Sequence, residues 1–198
     1  MTLLAAARAA RPGTALREVP GPPDELVLRG GGEVLRLPRT TAAAQRLLLL
    51  VRVLPRLRPL VPVVVPLPRL AGVLADGEAP FTAERRLPGV PPVGPLGSVA
   101  AGQLAGLVAA LADVPVREAQ MWGVPGPQAP ESEVPGPQVP GPEAAGLPVL
   151  LHGALRREHL LVDPRRGVLT GVVGWQLRLG ARDEDLAGLD PALRDALG

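Results

Sequence analysis

The spacing of apolar and polar positions divides the chain into short strands and two long helices. Glu25 to Arg29 and Glu33 to Leu37 alternate on either side of Gly30-Gly31-Gly32. Two alternating runs joined by a Gly-rich connector predict a β-hairpin. Leu47, Leu50, Val51, Leu54 and Leu57 recur at helical spacing, which predicts a helix with one buried face. Thr40 or Thr41 is placed to cap it, and Pro55 is expected to end or kink it near Leu54. Val99 to Ala112 predicts a second helix, with Leu104, Leu107, Val108 and Leu111 as its stripe. The prolines in and around Leu60 to Leu67 predict an edge strand or an extended path instead. Towards the C-terminus, Leu160 to Val162 and Val168 to Val173 predict two strands around a turn at Asp163 to Gly167. A loop beginning at His152 precedes them, and Asp190 to Gly198 reads as a short polar-rich helix.

Proline and glycine set the boundaries. Pro12-Gly13 and Pro20-Gly21-Pro22-Pro23 punctuate residues 1–20, which read as a flexible arm with one Ala-rich turn at Leu3 to Ala10. Val-Pro-Gly-Pro occurs three times, at Val124, Val134 and Val139. Such repeats make neither a helix nor a central strand, so residues 121–148 are expected to be a linker. Trp122 beside it reads as a packing anchor.

At 198 residues the chain fits one domain or two small lobes. Aromatics are 2% of the sequence, so the core must be built from Leu, Val and Ala. The absence of Cys excludes disulfides, thiolate metal sites and a thiol nucleophile. All 21 basic residues are Arg and are interspersed with 19 acidic ones, giving a net charge of +2. That pattern makes no nucleic-acid stripe. No apolar run approaches the roughly 20 residues of a membrane span. No targeting signal stands out either, so a cytoplasmic protein that binds neither membrane nor nucleic acid is expected.

Leu150 to Trp175, LLHGALRREHLLVDPRRGVLTGVVGW, resembles the catalytic segment of the aminoglycoside and macrolide phosphotransferases. Those small-molecule kinases usually read HGDxxxxN, then two short strands, an apolar pair, Asp and Trp. PPDELVLRGGGEVLRLPR, ending in Arg36-Leu37-Pro38-Arg39, resembles their N-lobe hairpin. GARDEDLAG, from Gly180, resembles their GDPxxDLA. The resemblance implies an α+β, protein-kinase-like two-lobed fold. It would have a small antiparallel N-lobe sheet and a reduced, mainly helical C-lobe. Residues 21–92 would form the N-lobe and hinge, 93–120 a C-lobe helix, and 149–198 the catalytic-segment hairpin and C-terminal helix. Typical members continue further, into helices that recognise the acceptor. This sequence does not carry them, so no such acceptor pocket is expected.

The resemblance also assigns roles. Arg36 falls on the strand position of a phosphate-contacting Lys or Arg. The helix Glu that usually pairs with it aligns with Leu50, so Arg36 is expected to lose its carboxylate partner. Leu87 and Gly89 fall in the hinge that receives the purine through backbone hydrogen bonds. His152 matches a loop residue that braces backbone, and Asp185 an Asp that ties a following loop into the C-lobe.

Phosphoryl transfer needs a carboxylate to orient and deprotonate the hydroxyl, and oxygen ligands for Mg²⁺. The matching positions hold Ala154 for the base, His159 for one ligand and Gly174 for the main ligand. A methyl group accepts no proton, glycine has no side chain, and neutral imidazole is a poor Mg²⁺ ligand. No catalytic or metal-binding residue is therefore assigned, and Mg²⁺ is not expected. The nearest carboxylates are Glu158, read as a surface residue, and Asp163, read as turn chemistry. Arg156 and Arg157 read as solvated loop arginines.

Three functions follow. The first is a catalytically inactive, pseudokinase-like protein with residual binding of ATP or GTP. The second is an active ATP- or GTP-dependent O-phosphotransferase on a hydroxylated small molecule, using Glu158 and His159. The third is a structural module that reuses the cleft for a homodimer or a protein partner.

Overall fold

In a computed structural model, residues 3–73, 80–126, 147–189 and 191–195 are described. Most of the Pro/Gly-rich stretch expected as a linker lies outside the described residues. The chain divides into two compact units, one of residues 1–59 and 64–88, the other of residues 60–63 and 89–198.

The first unit is built on a five-stranded antiparallel sheet of order β1-β2-β3-β5-β4. Its strands are β1 (Arg17–Val19), β2 (Glu25–Gly30), β3 (Glu33–Pro38), β4 (Arg69–Val73) and β5 (Pro80–Arg85). The hairpin is where the alternation placed it, with Gly30 opposite Glu33. Leu26, Leu28, Leu35, Leu37, Phe81 and Ala83 are buried together as one cluster. Helix α1 (Leu3–Ala10) adds the buried Ala6 and Ala7 to that cluster. Residues 1–20 are thus not a flexible arm throughout. The small side chains of α1 let its backbone sit close on the sheet, and Val19 of β1 pairs with Val27 of β2.

Helix α2 (Thr41–Leu57) packs on β3 and β5, with Leu47, Leu50, Val53, Leu54 and Leu57 buried. The Thr40 hydroxyl oxygen accepts from the Ala43 N–H at 3.1 Å and caps the first turn. Pro55 does not end this helix. It lies one turn from the C-terminus, so only one intrahelical donor is lost, and the Arg58 N–H still reaches Leu54 O at 3.0 Å. Residues 61–68 form neither helix nor strand; Val61, Val63 and Val65 are buried and Pro62 and Val64 exposed.

The second unit contains α3 (Ser98–Ala112), α4 (Val116–Met121) and two small antiparallel ribbons. One ribbon pairs β6 (Val149–Leu151) with β9 (Arg178–Gly180). The other pairs β7 (Leu160–Asp163) with β8 (Val168–Val172), with a bulge between Leu161 and Val162. The predicted stripe Leu104, Leu107, Val108 and Leu111 is buried on α3, which packs on β6 and β8. Trp122 is buried after α4. Two short helices, α5 (Asp183–Ala187) and α6 (Pro191–Asp195), end the described chain. Among the described residues no helix is long and apolar enough to cross a membrane.

Candidate functional site

In the second unit, the β6–β9 pairing delivers a loop at residues 152–159 next to α5. His152 is fully buried, and its backbone N–H donates to Asp185 Oδ2 at 2.6 Å. The Gly153 N–H donates to the other oxygen, Oδ1, at 2.9 Å. A single carboxylate therefore satisfies two donors at the turn. Burial pushes the Asp185 pKa up, and the two backbone N–H groups pull it part of the way back.

The imidazole of His152 braces the same turn. Its Nε2–H donates to Val173 O at 3.0 Å, and its Nδ1 accepts from the Ala154 N–H at 3.4 Å. Those partners suit the neutral ring. Burial, reinforced by repulsion from His159, lowers its pKa to about 3. Trp175 packs against it with ring centroids 4.5 Å apart and donates its indole N–H to Val172 O at 2.8 Å.

A 3-10 turn, Arg157–His159, then places the second imidazole. His159 Nδ1 donates to Ala154 O at 2.6 Å, and the Val173 N–H donates to His159 O at 2.9 Å. The three positions of the resemblance are thereby brought together: Ala154 and Gly174 meet across the His159 ring. Gly174 has φ of +77°, and a Cβ added there would lie 2.5 Å from His159 Nε2 and 2.7 Å from Cε1. The ring fills the space into which a side chain at position 174 would grow.

This geometry does not fit Mg²⁺. The cluster offers an imidazole whose Nδ1 is already committed, a methyl group and a bare backbone, whereas Mg²⁺ takes oxygen ligands. Among the described residues no three His, Asp or Glu side chains are grouped to hold a metal. Glu158 is exposed and pairs loosely with Arg156 at 4.0 Å. Asp163 Oδ1 accepts the N–H groups of Arg165 at 2.8 Å and Arg166 at 3.3 Å, so it shapes the β7–β8 turn. Arg157 is not a solvated loop residue: its guanidinium donates to the carbonyls of Gly94 and Pro92.

Gly89 and Val90 begin the longer segment of the second unit. The N–H and C=O of Val90 both pair with Val162, at 3.1 and 2.9 Å. Gly89 has φ of +104°, and a Cβ there would meet Val162 O at 2.9 Å and Leu161 Cβ at 3.2 Å. Only glycine lets the chain pass so close to β7. Leu87, in the first unit, is half-buried.

In the first unit, Arg36 is not left without a carboxylate. Its Nε donates to Glu84 Oε1 at 3.3 Å and its Nη1 to Glu25 Oε2 at 3.2 Å. Leu50, aligned with the usual helix Glu, is buried in apolar packing. The partners come from the neighbouring strands instead: Glu25 from β2 and Glu84 from β5. The signal was present in the sequence, since Thr82 and Glu84 alternate with Phe81 and Ala83, putting a carboxylate on the face of Arg36. Arg46 extends the network, donating to Glu25 at 2.6 Å and to both oxygens of Asp24 at 3.0 Å. Burial alone would lower the Arg36 pKa, but Glu84 and Glu25 more than reverse it, so it lies above the ordinary value. Burial leaves Glu84 above the carboxylate range despite Arg36.

No protein-family model matches the chain, and no curated protein matches it by sequence. Solved structures do match. The GDP and kanamycin complex of APH(2")-IIia aligns with 99% of this chain and 82% of its own, with TM-score 0.77 and 21% identity. The apoenzyme of macrolide 2'-phosphotransferase MphH from Brachybacterium faecium aligns with 98% of this chain and 79% of its own, with TM-score 0.71 and 24% identity. Macrolide 2'-phosphotransferase type I covers all of this chain and 81% of its own, with TM-score 0.67 and 20% identity. The likeness is one of fold: the chain has the kinase-like α+β architecture of the aminoglycoside and macrolide phosphotransferases.

Proposed function

We propose that this protein is a phosphotransferase-fold module that does not transfer phosphate and binds a nucleotide without a metal ion. The carrying observation is the His159 ring packed against Gly174 and bonded to Ala154. Base and metal-ligand positions are not merely substituted; the space beside them is filled and hydrogen-bonded into a brace. The active alternative loses support from the same geometry, because His159 is committed to the brace and Glu158 is exposed.

Nucleotide binding is supported by the neighbours, several of which were solved with GDP, ADP or ATP. Arg36 is the proposed phosphate contact, steadied by Glu25 and Glu84 as a charged strand residue needs to be. The backbone at Leu87, in the same unit as Arg36, is the proposed contact for the base. A purine held by backbone tolerates loss of side-chain chemistry, which is why binding outlasts catalysis in this reading.

Turnover tests the catalytic half directly. ATP and GTP are incubated with Mg²⁺ and the protein, and release of the diphosphate is followed by a coupled assay. The expected rate equals the protein-free background. Metal-dependent turnover that is lost on His159→Ala overturns the proposal.

A further inference from the structure

The first unit carries a second cluster of charge that the network around Arg36 does not use. Strand pairing sets Arg17 of β1 directly opposite Arg29 of β2. Like charges facing each other across a ladder destabilise it. Arg86, just past β5, joins them, and its N–H donates to Gly32 O at 2.9 Å. Partial burial lowers the Arg29 pKa, and repulsion from Arg86, Arg17 and, least, Arg36 adds to it, so Arg29 shares one field with its neighbouring cations.

These arginines line a surface hollow of about 340 Å³ together with the Gly30-Gly31-Gly32 turn, Ala15, Leu16 and Glu33. At Gly32 an added Cβ would meet nothing within 4 Å, so the turn is uncrowded there. Glu33 is the one carboxylate there, and it is already taken. Arg11 holds its Oε2 at 2.7 Å, and Arg69 holds its Oε1. Among the described residues no carboxylate pairs with Arg17, Arg29 or Arg86. Arg36, on β3, shows the contrast, since two carboxylates neutralise it.

We propose that this hollow binds a small multivalent oxyanion, gripped by the guanidinium groups of Arg17, Arg29 and Arg86. Guanidinium forks match the oxygen geometry of phosphate and carboxylate groups, and several together select for multiple charge. The anion relieves the cross-strand repulsion that the fold otherwise carries. The site lies within the first unit and uses none of the residues proposed above for the nucleotide.

Isothermal titration calorimetry of the full chain tests this, with pyrophosphate and citrate as probes at ionic strength held constant by chloride. The two probes separate a phosphate from a carboxylate source. At least one is expected to bind, with affinity falling about tenfold or more in both Arg17→Gln and Arg29→Gln, given the strength of charge-assisted contacts. Arg52→Gln, an exposed change on α2, should leave it intact. Because Arg17 and Arg29 are exposed and repel each other, each variant should fold, and its ligand-free melting midpoint should not fall. Arg86→Gln provides a third variant if either fails. Absence of binding by both probes overturns the proposal, as does unchanged affinity in the variants.

Discussion

The His159 imidazole occupies the space that any side chain at Gly174 would need, with Nε2 2.5 Å from an added Cβ. A carboxylate at that position is therefore not accommodated without rearrangement. Gly174→Asp forces a non-glycine residue to φ of +77° and pushes the ring out of its bond to Ala154 O. A destabilisation of roughly 2–4 kcal/mol is expected, combining backbone strain with lost packing. His159→Ala combined with Gly174→Asp should recover part of it. A double-mutant cycle by urea denaturation would show a favourable coupling above about 0.5 kcal/mol. Additive effects would contradict the contact.

His152 makes stability depend on pH. Its folded-state pKa of about 3 lies below the ordinary value of 6.5, so the folded ring stays neutral while the unfolded ring takes up a proton. The unfolded state thus binds more protons between these values. Stability is fully present above pH 6.5 and declines as pH falls towards 3, by at most about 1.4 kcal/mol per unit. Asp185 has the opposite sign, because its raised pKa makes ionisation costly as pH rises above 3.8. Comparing wild type with His152→Gln by denaturation at pH 7.5 and 5 isolates the histidine. The wild type should lose more stability than the variant, and equal losses would refute the assignment.

Asp185 is expected to matter for folding more than for charge. Asp185→Ala strips the acceptor from the N–H groups of His152 and Gly153, both in a buried turn. The cost should be roughly 2–6 kcal/mol, since each of the two donors left unsatisfied costs about 1–3 kcal/mol. Asp185→Asn keeps one acceptor and should cost less. Thermal melts of the two variants would reveal the order, and the reverse order would contradict the bracing role.

Arg36 sits between two carboxylates, and removing it leaves the buried Glu84 without its cation, while Glu25 keeps only Arg46. Arg36→Met should destabilise the protein by roughly 3–5 kcal/mol. Adding Glu84→Gln should recover part of the loss, since Glu84 is already held above the carboxylate range by burial. Chemical denaturation of the single and double variants measures both effects. A single variant as stable as wild type would show that the network is not closed in solution.

The parts of the fold legible in the sequence were those with a clear period. The hairpin at Gly30–Gly32 and the stripes on α2 and α3 required only alternation or helical spacing. The sequence placed an Ala-rich turn at Leu3 to Ala10, where α1 forms, but not its packing on the sheet, because alanines carry little apolar contrast although Ala6 and Ala7 end up buried. The β6–β9 ribbon was hidden because three-residue strands have too few positions to show a pattern. At the candidate site, the identities of Ala154, His159 and Gly174 were legible, but the filling of the space beside Gly174 was not. It depends on a 3-10 turn that aims the ring of His159 back at the strand end. The partners of Arg36 were likewise set by strand register, which places Glu84 and Glu25 beside it, and not by the helix position that Leu50 occupies.

The most direct test of the central reading is a thermal-shift titration of the full chain with ATP and GTP, with Mg²⁺ and with a chelator. A ligand that binds only the folded state raises the melting midpoint as its concentration exceeds the dissociation constant. Because no oxygen ligands stand at positions 154, 159 and 174, the shift should appear with at least one nucleotide and be the same with and without Mg²⁺. A shift that appears only when Mg²⁺ is present would contradict this account.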